Sequence, residues 1–268
     1  MKAVQRAALG MLLIWLFSGI WRTPAAVAQN RPDTAAARGQ PTAPPRDWPD
    51  PVNDRAHYAF LLADVLEYQP GTPGDFRWDI QGWHGGDYNR LWIKSEGQLN
   101  SAFKADYDLD LQLLYGRFIW KWYDFQIGGR VQTQSFRGGN ATRGLAVIGL
   151  QGLVPYSYEV ETALFIDQDA NISARVTATK DLSLTQRLIL QPRLETNAAV
   201  QRVERFTTAS GLNNLELGFR LRYEIWRRFG PYVGVSFNWS VFGTAGLVRQ
   251  NGGDPSQARF VAGARVWR

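Results

Sequence analysis

The 268-residue chain contains no cysteine, which excludes disulfides, thiolate metal centres and a cysteine nucleophile. Histidine is almost absent as well. His57 and His84 are the only two, so a Ser-His-Asp triad would have to use one of them, and no Gly-x-Ser-x-Gly sequence accompanies either. Both methionines, Met1 and Met11, fall in the first 28 residues; the remainder lacks the soft thioether ligands that favour Cu(I). Phosphate-cradling glycine loops, zinc-finger spacings and blocks of Lys/Arg are missing too. Half of the net charge of +6 comes from Lys2, Arg6 and Arg22, in an N-terminal stretch without a single acid. The basic balance is therefore no sign of nucleic-acid binding.

The N-terminus carries these basic residues around an apolar run, Ala7 to Trp21, followed by Ala26-Val27-Ala28. A charged start, an apolar stretch shorter than the ~20 residues of a membrane-spanning helix, and a small-residue box predict a cleaved secretory signal over 1–28. The alternative is an uncleaved anchor. Residues 29–56 hold Pro32, Pro41, Pro44, Pro45, Pro49 and Pro51 among Ala, Arg and Asp. That composition cannot build a core and predicts an extended, disordered tether. No later segment is apolar enough to cross a bilayer as a helix.

What is abundant is aromatic residues (11 Trp, 10 Tyr, 14 Phe) and glycine, with 26. From Tyr58 onward, apolar and polar residues alternate with a period of two. Leu215, Leu217, Phe219, Leu221, Tyr223 and Ile225 interleave with Glu216, Gly218, Arg220, Arg222 and Glu224. Tyr107 to Tyr115, Tyr156 to Ile166 and Pro231 to Val241 repeat the pattern. Soluble strands average roughly five or six residues, whereas these runs keep phase for about the 9–11 residues that a tilted strand needs to cross a bilayer. The alternation predicts an all-β fold: a closed antiparallel transmembrane β-barrel of about 12 strands spanning residues 57–268. The predicted strands are 58–68, 76–84, 89–99, 104–118, 121–134, 141–153, 156–167, 171–183, 186–200, 212–226, 230–242 and 257–267. The first could instead be a short helix. Short connections alternate with longer polar ones, which predicts periplasmic turns, outer loops and both chain termini in the periplasm of a Gram-negative cell. A soluble barrel or sandwich with long strands is the alternative.

With the apolar faces on lipid, the charges point inward. The predicted lumen residues are Asp79, Lys94, Glu96, Asp108, Asp110, Asp124, Arg130, Glu159, Glu161, Arg193, Glu195, Arg220, Arg222, Glu224 and Arg265. They must pair or hold water, either as a stiffening plug or as a polar path. Asp108 with Asp110 and Glu159 with Glu161 are i, i+2 carboxylate pairs sharing one space. His84 with Asp79 is the one imidazole-carboxylate combination. These six residues form the candidate metal set; the bland reading makes His84 a turn or interface residue. A twelve-stranded outer-membrane phospholipase needs His and Ser together on the outer wall, whereas His84 falls at a periplasmic strand end. The reading is non-enzymatic.

Several stretches resemble the copper resistance protein B family of outer-membrane proteins. They are Trp83-His84-Gly85-Gly86-Asp87-Tyr88-Asn89-Arg90-Leu91-Trp92, Gln151-Gly152-Leu153-Val154-Pro155-Tyr156, Leu184 to Arg193, Gly211 to Gly218, Leu221 to Ile225, Pro231 to Val235 and Arg259 to Gly263. The resemblance implies a role in copper resistance and homeostasis through copper binding or control of copper passage, with copper as a bound ion and no organic cofactor. It also implies outer-membrane lipids, the barrel assembly machinery and a periplasmic multicopper oxidase or copper carrier as partners, and no nucleic acid. Many family members carry a Met- and His-rich segment where this chain has its Pro/Ala/Arg tether. A general small-solute channel and a lipid-modifying enzyme are the alternative functions. The chain ends Trp267-Arg268, one residue past the aromatic with which barrels commonly close.

Overall fold

The computed structural model describes residues 56–70, 75–100, 107–136, 139–154 and 156–268. The expected signal segment, 1–28, and the expected tether, save Ala56, lie outside the described residues. The strands are β1 (Tyr58–Gln69), β2 (Asp75–Gly85), β3 (Asn89–Asn100), β4 (Tyr107–Trp120), β5 (Tyr123–Phe136), β6 (Gly139–Val154) and β7 (Tyr158–Asp167). They continue as β8 (Ile172–Lys180), the two-residue β9 (Leu182–Ser183), β10 (Leu188–Ala199), β11 (Gly211–Tyr223), β12 (Phe229–Ser240) and β13 (Ser256–Trp267).

Every neighbouring pair is antiparallel, and β1 pairs with β13 to close the cylinder. β8 and β9 both pair with β10 and form one stave, broken at Asp181, so the barrel has twelve staves. Closure matters energetically: a spanning sheet with an open edge would leave backbone groups unsatisfied in hydrocarbon. The chain enters and leaves at the same end, where Leu61 and Arg268 exchange backbone hydrogen bonds of 3.0 and 2.9 Å.

The side-chain phase follows the expected alternation. Leu111, Leu113 and Tyr115 are exposed on the outer surface while Asp110, Gln112 and Leu114 between them are buried. Leu91, Ile93, Ile148, Leu150, Leu164 and Ile166 extend the outer apolar surface around the cylinder. Tyr58, Trp120, Trp122, Tyr156, Tyr158 and Trp226 are exposed at one rim, and Tyr68, Phe76, Phe242 and Phe260 at or towards the other. An apolar band between two aromatic girdles is the surface of a membrane barrel.

At one end, the turn end, the connections are the turns at 86–88, 121–122, 156–157, 184–187 and 224–228. The opposite, loop end carries the connections 200–210 and 241–255, among others. Three particulars depart from the expectation. The segment that could have been a helix is β1, whose register against β2 shifts between Ala63 and Val65; this irregularity breaks the period-two signal there. The stretch 171–183 is interrupted rather than continuous. The expected polar loop after β12 contains a helix, α1 (Phe242–Gln250).

The helix is held by a second strand irregularity. The β10–β11 register shifts so that Asn213 is the extra residue. Its buried side chain accepts from Thr244 Oγ1 at 2.6 Å and from the Ala209 amide at 3.1 Å. A bulge thus ties α1 and the 200–210 loop to the barrel mouth.

Candidate functional site

The inward positions of the staves meet in a narrow lumen. A closed antiparallel barrel of this size has an interior largely filled by side chains, and here most of those side chains are charged. Arg193 (β10) spans to Asp79 (β2) at 3.2 Å and also contacts Glu195 at 3.1 Å. Arg175 (β8) makes a two-pronged pair with Glu96 (β3), at 2.6 and 2.8 Å. Arg77 (β2) donates from one nitrogen, Nη1, to both carboxylate oxygens of Glu216 (β11), at 2.7 and 2.8 Å. Lys94 (β3) reaches Glu161 (β7) at 2.7 Å, and Arg220 (β11) donates to Glu67 (β1) at 2.9 Å. Apart from Arg193–Glu195, which lies within β10, none of these pairs joins neighbouring strands, so they form a belt of ion pairs across the lumen. The planar guanidinium suits the task because its fork matches a carboxylate.

The belt divides the interior. A cavity of about 390 Å³ occupies the loop-end half, bordered by Asn197, Asn214 and Thr244 from the rim side and by Asp108 and Arg130 lower down. A second space, of about 40 Å³, lies on the other side beside Asp64, Gln81 and Glu159. Asp79, Glu96 and Arg175 border both.

One wall of the lumen carries an apolar cluster among its charges. Trp92 (β3), Leu114 (β4), Leu145 and Val147 (β6), and Ala163 and Phe165 (β7) form a buried cluster with Trp83 beside it. Trp92 packs over Gly116, where a Cβ would lie 2.5 Å from the indole nitrogen. Phe165 lies under the guanidinium of Arg130, 4.4 Å from ring centre to Cζ. Trp267 also faces inward, about 6 Å from both Arg222 and Arg265.

The predicted lumen charges line this interior, but the six candidate metal residues do not gather. Asp110 is taken by Arg130 through two hydrogen bonds of 2.6 Å. Asp79 and Glu161 are taken by Arg193 and Lys94. Asp108 keeps a buried, unpartnered Oδ1 in the loop-end cavity. Glu159, on the turn side, receives one amide hydrogen bond, from Gln151 at 3.4 Å. His84 is exposed on the outer surface, five residues and one strand face away from Asp79, so the expected imidazole-carboxylate pair is not formed. Its ring stacks instead on His57, with centroids 5.7 Å apart. Among the described residues no three His, Asp or Glu side chains are arranged to hold a metal ion.

Sequence reading did not single out Asp64, Glu67, Arg77, Arg175 and Glu216. Glu216 stands in the polar phase of β11, and Arg175 alternates with Thr177 and Thr179, so their orientation was available from the pattern. Asp64 is the unpaired residue of the β1 irregularity and Glu67 follows it, which hides their phase.

Among solved structures the fold is similar to the KdgM porin, with a TM-score of 0.46 at 9% identity, covering 78% of this chain and 98% of that one. It is similar to the NanC porin at a TM-score of 0.47 and 11% identity, covering 79% and 100%. Copper resistance protein B of Escherichia coli is 38% identical over 217 residues, which is 81% of this chain and 71% of that protein. Copper resistance protein B homolog of Pseudomonas syringae pv. tomato is 39% identical over 217 residues, 81% of this chain and 72% of that protein. The family model described as copper resistance protein B precursor matches residues 57–268, the whole of the barrel just described, and the chain belongs to that family.

Proposed function

We propose that this barrel resides in the outer membrane of a Gram-negative cell, with its turn end in the periplasm, and contributes to copper resistance by governing copper passage through the lumen. The reading is non-enzymatic. The observation that carries it is the placing, on either side of the ion-pair belt, of two carboxylates that form no direct ion pair with a described residue. Asp108 lies on the loop side and Glu159 on the turn side. A half-buried carboxylate without a direct ion pair is costly, and a transient cation relieves part of that cost. Between them, a divalent ion competes with Arg175 and Arg193 for Glu96 and Asp79, so the belt closes the lumen at rest and exchanges partners during passage. Turn-end contacts with a periplasmic multicopper oxidase or copper carrier, a lipid annulus of outer-membrane lipids and insertion by the barrel assembly machinery complete the setting.

The test is copper tolerance of a strain lacking the gene, complemented with the wild type or with Asp108→Asn/Glu159→Gln. The wild type restores the tolerance and the double variant does not, while both reach the membrane in equal amount. Unchanged tolerance on deletion, or full rescue by the double variant, contradicts the proposal. The roomy loop-end cavity favours one competing reading, a general small-solute channel. That reading requires a steady conductance in planar bilayers; the crossing ion pairs predict none.

A further inference from the structure

We infer that the turn end carries a cationic collar that binds the phosphate headgroups of anionic glycerophospholipids in the surrounding bilayer. This goes beyond the copper reading and rests neither on it nor on which way the barrel faces. The two rims carry different charge. At the loop end the exposed charges among the described residues balance, with Arg202, Arg205 and Arg249 against Asp169, Glu204 and Asp254. At the turn end Arg117, Lys121, Arg187, Arg227 and Arg228 are exposed and Lys180 is half-buried. None of these six forms an ion pair with a described residue. The exposed acids there are Asp87 and Asp181. Asp181 is already held by Arg222 and Arg265 from the lumen, at 2.7 and 3.5 Å.

An unpaired cation in water is unremarkable, so the positions matter more than the count. Arg117 stands in the lipid-facing phase of β4, between Tyr115 and Ile119, which are 47% and 57% exposed. Lys180 ends β8 in the same outward phase as Val176, with its Nζ 4.4 Å from the centre of the Tyr158 ring. A charge on the lipid face of a barrel is least costly close to the interface, where a long stem lifts it to the headgroups. Arg227 and Arg228 are the two-residue tip of the β11–β12 hairpin, closed by Trp226–Phe229 backbone hydrogen bonds of 3.3 and 3.2 Å. Tight hairpin tips favour Asn or Gly at positive φ, and neither arginine adopts positive φ. The turn itself gives no reason for two like charges side by side. Trp226 next to them is exposed, as befits a ring at headgroup level. The counter-ion that this zone of a bilayer offers is a lipid phosphate, and the guanidinium fork matches it.

The experiment folds the barrel into phosphatidylcholine bilayers with a trace of spin-labelled phosphatidylglycerol or spin-labelled phosphatidylcholine. Electron paramagnetic resonance reads the fraction of label slowed at the protein surface. At low ionic strength the wild type prefers phosphatidylglycerol by about fivefold or more, the weight of a single basic residue at an anionic surface. The preference shrinks in about 1 M salt, which screens it. Arg117→Gln/Lys180→Gln/Arg227→Gln/Arg228→Gln loses the preference, and Arg202→Gln/Arg205→Gln/Arg249→Gln at the loop end keeps it. Heat-modifiable gel mobility reports that each barrel is folded. Arg227→Gln/Arg228→Gln alone, confined to a turn tip, lowers the preference at least about twofold and carries the test if the fourfold variant does not fold. Inorganic phosphate at matched ionic strength leaves the preference in place, because the collar takes a headgroup anchored in the bilayer. Equal association of the two lipids with the wild type, an unchanged preference in the turn-end variants, an equal loss in the loop-end variant, or displacement by inorganic phosphate overturns the inference.

Discussion

Two walls face each other across the lumen, and they solve the same problem by different means. The β3–β7 wall carries an apolar cluster of Trp92, Leu114, Val147 and Phe165 beside its own ion pairs. The opposite wall, from β10 round to β2, fills its space with Glu67, Arg77, Arg193, Glu216 and Arg220. Both sets are inward-facing, so orientation alone does not decide polarity. What differs is the consequence of change. An apolar cluster loses contacts in proportion to what is removed. An ion pair fails abruptly, because its surviving member is left charged in a poorly solvated place.

Glu67→Ala should show the largest effect. Glu67 is fully buried and accepts from Arg220, Tyr232 and Gln69 at 2.9, 3.3 and 2.8 Å. Its loss strands Arg220, and breaking such a pair costs about 3–5 kcal/mol. The midpoint of urea unfolding in lipid vesicles should fall accordingly, and Glu67→Leu/Arg220→Met should recover most of the loss. A double variant as unstable as the single one would show that the pair is not the source. Phe165→Ala comes next, at roughly 3 kcal/mol for a buried aromatic truncation, and no second substitution among the charged residues should rescue it. Equal behaviour of the two walls under rescue would erase the distinction. Arg202→Ala sets the floor. Its pair with Glu204 is exposed on both sides, at 54% and 72%, so the change should stay within about 1 kcal/mol. A larger shift in the same unfolding assay would mean that the loop end bears on stability more than its exposure implies.

The comparison also marks what the sequence could convey. Period-two alternation in β4, β7 and β11 carried the strand identities and their outward faces, because one side meets lipid and tolerates no charge. The lumen charges of these strands followed from the same phase. The inward apolar cluster did not: Leu114 follows Leu113 directly, and one inward leucine in a polar phase has no signature of its own. β1 was ambiguous because the irregularity near Asp64 inserts an extra residue into the alternation. α1 was hidden because its anchor is tertiary, a hydrogen bond from Thr244 to a bulged Asn213 in another strand. The ion pairs were illegible for the same reason: Arg77 and Glu216 lie 139 residues apart, and only the closed cylinder makes them neighbours. Proximity along the chain pairs His84 with Asp79, but an odd separation in a strand puts two residues on opposite faces.

The absence of cysteine makes the central claim directly measurable. Single cysteines placed in turn from Leu109→Cys to Tyr115→Cys, each spin-labelled in lipid vesicles, report exposure to oxygen dissolved in hydrocarbon. A barrel with this phase predicts high oxygen exposure at 109, 111, 113 and 115 and low exposure at 110, 112 and 114. Uniform values, or the reverse phase, would contradict a cylinder that turns its apolar face to lipid and its charges inward.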